Sequence, residues 1–367
     1  MSDSPLFLPY TFRCGATAHN RITLAPLTNL QSHDDGQCSQ EELRWLERRA
    51  RGGFAIVMTC AAYVSATGKG FAGQLGCCSD DHLPGLEALA RAINRHGALS
   101  MVQLFHGGAR APRAVTGVQP ISASAWEETS SQLDSPRAAT TAEIEQVIED
   151  FCTAAHRVHR AGFRGVEIHG AHGYLPCQFL SWLRNTRADG WGGSLAGRAR
   201  LLRTITARIR AEIPPPFIVG VRLSPEDMPA IVGLDLDESI QVAQWLAEDG
   251  IDFVDLSLWD YRRPTKKRPT EFALPLFREA LPREVAVLAA GAIWTPEDAA
   301  AVLGQGADFV ALGRAAILNP DWPKLARDPH FEPQRGPFTP AQLNEIDVSP
   351  KFVDYLRRFQ LVADTEG

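Results

Sequence analysis

Short apolar runs alternate with longer amphipathic stretches along most of this chain. The apolar runs are Ile22 to Leu27, Phe54 to Met58, Leu99 to Phe105, Val166 to His169, Phe217 to Leu223, Phe253 to Leu258, Val285 to Ala290 and Phe309 to Leu312. Each is strand-length and bounded by polar or glycine residues, as buried strands are. The stretches between them carry apolar residues at helical spacing and predict helices over Glu41 to Arg51, Leu83 to Arg95, Thr141 to Gly162, Arg198 to Ile213, Asp237 to Glu248, Phe272 to Leu281, Pro296 to Leu303 and Asp321 to Ala326. End signals support the boundaries. Glu143 and Glu145 stand in the first turn of the third helix and Gly162 at its end, Thr295 precedes Pro296, and Pro214-Pro215-Pro216 stops the fourth helix.

Strands alternating with helices imply a parallel sheet. Eight such units favour closure into a (β/α)₈ TIM barrel over an open doubly wound sheet. The expected layout is a barrel over residues 1–330, with a small hairpin within Phe12 to Asn20 capping its base, and a C-terminal arm over 331–367. Phe352, Tyr355 and Leu356 make one apolar patch in that arm, suited to covering the barrel or meeting another subunit. A long Ala-, Pro-, Ser- and Gly-rich excursion, Gly107 to Ala139, follows the third strand.

Composition narrows the class. The chain has 367 residues, 45% hydrophobic and 22% charged, enough for a large core. A net charge of -6 asks for neither nucleic acid nor an anionic membrane as partner. Met1-Ser2-Asp3-Ser4-Pro5 lacks a basic segment followed by an apolar run, and no stretch is apolar for long enough to span a bilayer. Seven cysteines, irregularly spaced and without Cys-x-x-Cys, fit reduced thiols of a cytoplasmic protein.

The segment Glu167-Ile168-His169-Gly170-Ala171-His172-Gly173-Tyr174 runs out of the fourth strand. Carboxyl ends of barrel strands face the ligand. Two imidazoles can hold an oxygen that becomes negative, and a phenol can deliver a proton, which points to reduction or isomerisation beside a carbonyl. Satisfied core histidines are the plainer alternative; a metal site with Glu167 is disfavoured, because no further carboxylate or cysteine stands close. The other strand exits carry Thr28, Cys60, Gln103 with His106, Arg222, Trp259, Gly291 and Gly313-Arg314. Gly291, Gly313 and Arg314 suit a phosphate, or only tight turns. Gln103 and Arg222 suit a ring edge that becomes anionic, or a hydrogen bond inside the barrel. The basic run Arg262 to Arg268 is either a solvated loop or an anion contact.

Taken together these residues resemble the Old Yellow Enzyme family of FMN-dependent NAD(P)H:flavin oxidoreductases and ene-reductases. The resemblance rests on Asn20-Arg21-Ile22 with Ala25-Pro26-Leu27-Thr28, on Val102-Gln103-Leu104 with His106-Gly107-Gly108, and on Gly313-Arg314. Its most specific part is His169-x-x-His172-x-Tyr174 followed by Asn185 to Ser194. It implies FMN across the barrel mouth, with Pro26, Thr28 and Cys60 beside the flavin, Gln103 and Arg222 at its pyrimidine edge, and Gly291, Gly313 and Arg314 on its phosphate. It further implies that hydride passes from NAD(P)H through flavin N5 to the β-carbon of an α,β-unsaturated carbonyl compound. His169 and His172 would bind the carbonyl oxygen and Tyr174 would donate the proton. Arg187, Asp189 and Arg198 would fix the loop after the fourth strand. Thr28 stands where one bacterial branch has cysteine, and Leu30 where that branch has tyrosine. A flavin-free lyase or isomerase on the same barrel, or a flavoprotein acting as NAD(P)H oxidase or on nitro compounds, are the competing functions. Family barrels often pair through their outer helices, so a homo-oligomer is among the expectations.

Overall fold

A computed structural model describes residues 4–130, 133–228 and 232–363. Met1 to Asp3, part of the segment on which the reading of no leader rests, lie outside the described residues. So do positions 131–132 of the excursion and 364–367 of the arm.

All eight expected strands form, and they close into one barrel. They are β1 (Ile22–Leu24), β2 (Ile56–Tyr63), β3 (Leu99–Phe105), β4 (Gly165–Gly170), β5 (Ile218–Leu223), β6 (Phe253–Ser257), β7 (Ala286–Ala290) and β8 (Phe309–Leu312). Each pairs in parallel with its sequence neighbours, and β8 pairs with β1 to shut the ring. The strands are buried along almost their whole length, which a parallel sheet covered by helices requires. The outer helices are α1 (Gln40–Arg51), α2 (Leu83–Asn94), α3 (Thr141–Arg160), α4 (Leu195–Glu212), α5 (Leu236–Glu248), α6 (Ala273–Ala280) and α7 (Pro296–Gly304). Side chains of Ser39, Thr140, Ser194, Asp235 and Thr295 cap the starts of five of them.

One sequence expectation needs correction. Strand β2 runs on to Tyr63, five residues past the expected end, because its pairing with β3 slips between Met58 and Ala61 and then resumes. The arm holds helices at Pro340–Glu345 and Pro350–Leu356, too short to show a clear period in sequence.

The barrel is open at one end only. The hairpin Tyr10–Thr11 and Thr17–Ala18 brings Phe12 under the strands, where its ring stacks on Phe309 at 5.3 Å and tilts against Phe253 at 6.3 Å. Ile56, Met58, Met101, Ile218 and Leu288 complete this plug. Gly220 has no side chain because a Cβ there would lie 2.1 Å from the Phe253 ring. Any site for a ligand is therefore pushed to the carboxyl ends of the strands.

The arm packs on α1. Phe352 sets its ring edge-on to Trp45 at 5.0 Å, and both are fully buried. Burying a side chain of that size stabilises by roughly 1.5–3 kcal/mol. Arg49 Nη1 donates to the Ile346 carbonyl at 2.8 Å, and the Ser349 N–H donates to Gln31 Oε1 at 3.3 Å. Among the described residues no helix is long and apolar enough to cross a membrane.

Candidate active site

Ten of the eleven residues expected at the site line one cavity of about 580 Å³ at the open end: Pro26, Thr28, Gln103, His169, His172, Tyr174, Arg222, Gly291, Gly313 and Arg314. Cys60 does not. The register slip in β2 turns its thiol outward, where it donates to Glu42 Oε1 at 3.2 Å, and Ala61 lines the cavity in its place. His106 is also absent from the lining. It is 1% exposed, its Nδ1 accepts the Gly108 N–H at 3.1 Å, and burial pushes it down to about 4.

The histidine segment owes its shape to backbone conformation. His169 points inward from β4. The chain then reverses through His172 at φ 60° and Gly173 at φ 72°, both left-handed. A left-handed histidine is uncommon, and strain of this kind persists where the surroundings fix it. Here they do: the His172 N–H donates to Ser224 Oγ at 3.3 Å, and Arg110 Nη1 donates to the His172 carbonyl at 2.6 Å. The reversal sets the His172 ring 4.9 Å from His169, and Tyr174 lies 4.9 Å from His169 on another side. Phe105 braces Tyr174 edge-on at 4.4 Å, and the Arg110 guanidinium sits over the phenol ring at 4.8 Å.

Both imidazoles are neutral. Burial first, then the nearby Arg222 and Arg110 charges, push His172 down to about 3. Burial and the neighbouring His172, Arg222 and Arg110 hold His169 well below the usual imidazole range. A hydrogen bond assigns the His169 tautomer. His169 Nδ1 accepts the Ala171 N–H at 3.3 Å, so Nε2 carries the proton. Ser257 Oγ accepts from Arg222 Nη2 at 3.3 Å and pairs with His172 Nε2 at 2.6 Å. The pair carries two N–H groups and no charge.

The rest of the cavity has the marks of a site for a larger, partly anionic group. Arg222 Nε is a buried donor with no partner among the described residues. A Cβ at Gly313 would meet only Leu27, at an ordinary 3.5 Å, so packing does not explain that glycine. Gly291 differs: a Cβ there would lie 2.8 Å from Leu258, and the close approach of the β6 exit demands glycine. Arg314 is exposed beside Trp294, 6.0 Å from guanidinium to ring. The basic run after β6 is not a free cationic patch. Lys267 pairs with Asp235 and Asp237, Arg268 with Asp237 and Arg262 with Asp260.

Sequence reasoning offered the arm's apolar patch as a cover for the barrel or a subunit contact, but did not count it among the site residues. Phe352, Tyr355, Leu356, Phe359 and Leu361 of the arm line the cavity, which brings Tyr355 to the same space as Thr28. The patch Phe352, Tyr355, Leu356 has i, i+3, i+4 spacing, which was the available signal. Arg187 and Arg198 fall where a loop-fixing role needs them. Arg187 Nη1 donates to the carbonyls of Ala123 and Ala139 at 3.0 and 2.6 Å, and Arg198 Nη1 to that of Leu180 at 2.6 Å.

Comparison with known proteins agrees with this geometry. The family model described as NADH:flavin oxidoreductase / NADH oxidase matches residues 5–329. The chain is 36% identical over 325 residues to the probable NADH-dependent flavin oxidoreductase YqiG of Bacillus subtilis, covering 87% of this chain and 86% of that one. It is 33% identical to the NADH:fumarate oxidoreductase of Klebsiella pneumoniae over 88% of its own length, but spans only 36% of that longer protein. Among solved structures, the old yellow enzyme homologue from Zymomonas mobilis superposes with TM-score 0.82 at 28% identity, over 95% of this chain and 98% of that one. Morphinone reductase in complex with tetrahydroNAD superposes with TM-score 0.79 at 27% identity, over 93% and 94%.

Proposed function

Because the chain belongs to the NADH:flavin oxidoreductase / NADH oxidase family, and so is an NAD(P)H-dependent oxidoreductase that uses FMN, we propose that its electron acceptor is an activated alkene. The alkene is conjugated to a carbonyl group. The observation that carries this reading is the trio His169, His172 and Tyr174, two neutral N–H donors and a phenol within 4.9 Å of the His169 ring. Fumarate, named as the acceptor of one relative, is itself an alkene conjugated to carboxyl groups.

FMN, when bound, relays as hydride the electrons it takes from NAD(P)H. The partnerless Arg222 Nε and the open space at Gly313 fit such a group. Gln103 and Arg222 are the residues to hold its pyrimidine edge, and Gly291, Gly313 and Arg314 its phosphate, with Pro26 and Thr28 alongside. His169 and His172 bind the carbonyl oxygen of the alkene. Being neutral, they donate without surrendering a proton, and their two bonds strengthen as negative charge gathers on that oxygen. Tyr174 supplies its proton to the α-carbon. The Arg110 guanidinium, 4.8 Å over its ring, holds the phenol in place.

Anaerobic addition of NADPH or NADH to the purified protein should bleach the flavin absorbance, and a cyclic enone should restore it. Bleaching that no enone reverses would discard the alkene while leaving the flavoprotein.

A further inference from the structure

Three ionisable side chains meet at the floor of the cavity: Glu167 on β4 and Asp255 on β6, both sealed, and Arg222 on β5, which lines the cavity. Glu167 and Asp255 are both 0% exposed and Arg222 is 6% exposed. Strand register sets them together, since Gln103 pairs with Glu167 and Asp255 with Arg222. Arg222 Nη1 donates to Asp255 Oδ2. Gln103 Nε2 donates to Glu167 Oε1 at 2.6 Å, which ties one of the two N–H groups of that amide to the barrel interior while Gln103 lines the cavity.

Two acceptors of this cluster lack donors. Glu167 Oε2 and Asp255 Oδ1 are both buried acceptors without a donor among the described residues, and the Asp255 carboxyl is near enough for its charge to act on Glu167. A single proton between them satisfies both atoms. It also balances charge, because two bare carboxylates against one guanidinium would leave a net negative charge in a buried site, which is costly. Burial first, then the Asp255 charge, pushes the Glu167 carboxyl well above the usual carboxylate range.

We propose that Glu167 and Asp255 share one proton at working pH and that Glu167 is a positioning residue. It fixes the Gln103 amide at the flavin edge and keeps the Arg222 charge from being over-neutralised. The groups that face Glu167 are Gln103 from β3, Arg222 from β5 and Asp255 from β6, with the neutral His169 next along its own strand. The inference rests on reading Gln103 and Arg222 as the residues that meet the flavin.

The first test is infrared difference spectroscopy of the holoenzyme. The C=O stretch of a protonated carboxyl should be present at neutral pH and absent in Glu167→Gln. A spectrum without that band, or one unchanged by the substitution, overturns the proposal. The second test is FMN affinity of the apoprotein by fluorescence titration. Glu167→Gln reproduces the protonated carboxyl, accepting from Gln103 and donating to Asp255, so the dissociation constant should stay within about threefold of wild type. Glu167→Ala leaves buried partners unpaired and should weaken binding about tenfold or more. Weakening by Glu167→Gln as large as by Glu167→Ala would mean that a carboxylate is required, and would overturn the proposal. Arg222→Ala separates the underlying reading: undiminished FMN affinity there removes the flavin-edge assignment, while the infrared band still decides the proton.

Discussion

Ser257, at the end of β6, stands 2.6 Å from His172 Nε2 and so orients an imidazole carried by the turn after β4. The same hydroxyl accepts from Arg222, which ties the alkene-binding donor to the residue assigned to the flavin edge. Ser257→Ala should loosen His172 without removing it. A neutral hydrogen bond contributes about 0.5–1.5 kcal/mol, so kcat/KM for a cyclic enone should fall about 2- to 10-fold. His172→Ala, which deletes the donor, should cost about 10²–10³-fold. Steady-state kinetics on both variants checks the order. Equal losses would mean that Ser257 acts elsewhere.

Tyr174→Phe should separate the two half-reactions. The phenol has no part in accepting electrons from NAD(P)H, so flavin bleaching by NADPH should keep its wild-type rate. Reoxidation by the enone should slow by about 10²–10⁴-fold, the usual range for a lost general acid. Stopped-flow absorbance reads both. Parallel loss in the two phases would remove the proton-donor role.

His106 gives a pH test that is independent of catalysis. Its folded value, about 4, lies below the ordinary imidazole value. The unfolded chain therefore binds the proton first as pH falls. The stability that His106 contributes is complete above about pH 6.5 and is lost as pH drops toward its folded value, at up to about 1.4 kcal/mol per pH unit. Burial raises Glu42 and Glu167, whose contribution has the opposite sign: it is complete below the ordinary carboxylate value and lost as pH rises. Subtraction isolates the imidazole. The stability of wild type minus that of His106→Gln, from denaturant unfolding between pH 7 and 5, should decline with falling pH. A flat difference would show that the ring is not held neutral.

Phe352→Ala should undock the arm. The ring is fully buried against Trp45, and such truncations cost about 3–5 kcal/mol in a core. Limited proteolysis should then cut the chain beyond residue 331, while the barrel survives intact. Protection equal to wild type would show that the arm holds through its other contacts, such as Arg49 to Ile346.

The barrel was readable because its eight strands are short, apolar and separated by helices with clear caps. His169, His172 and Tyr174 were readable because they fall within six positions of one strand exit. Cys60 was misplaced for a physical reason: a one-residue slip in β2 moves a side chain to the other face, and no composition signal marks the slip. The arm's contribution was hidden because Tyr355 lines the same cavity as Thr28 across more than three hundred positions of sequence. Glu167 looked like a weak metal-ligand candidate, and only its partners across three strands reveal a different environment.

The aromatic plug made by Phe12, Phe253 and Phe309 has a kinetic consequence. A vessel closed at the bottom is entered from the top, so whatever delivers electrons and whatever removes them arrive from the same side. If both take the same place over the flavin, each molecule must leave before the other can enter. An excess of either then blocks its counterpart, and double-reciprocal plots against one reactant at several levels of the other run parallel.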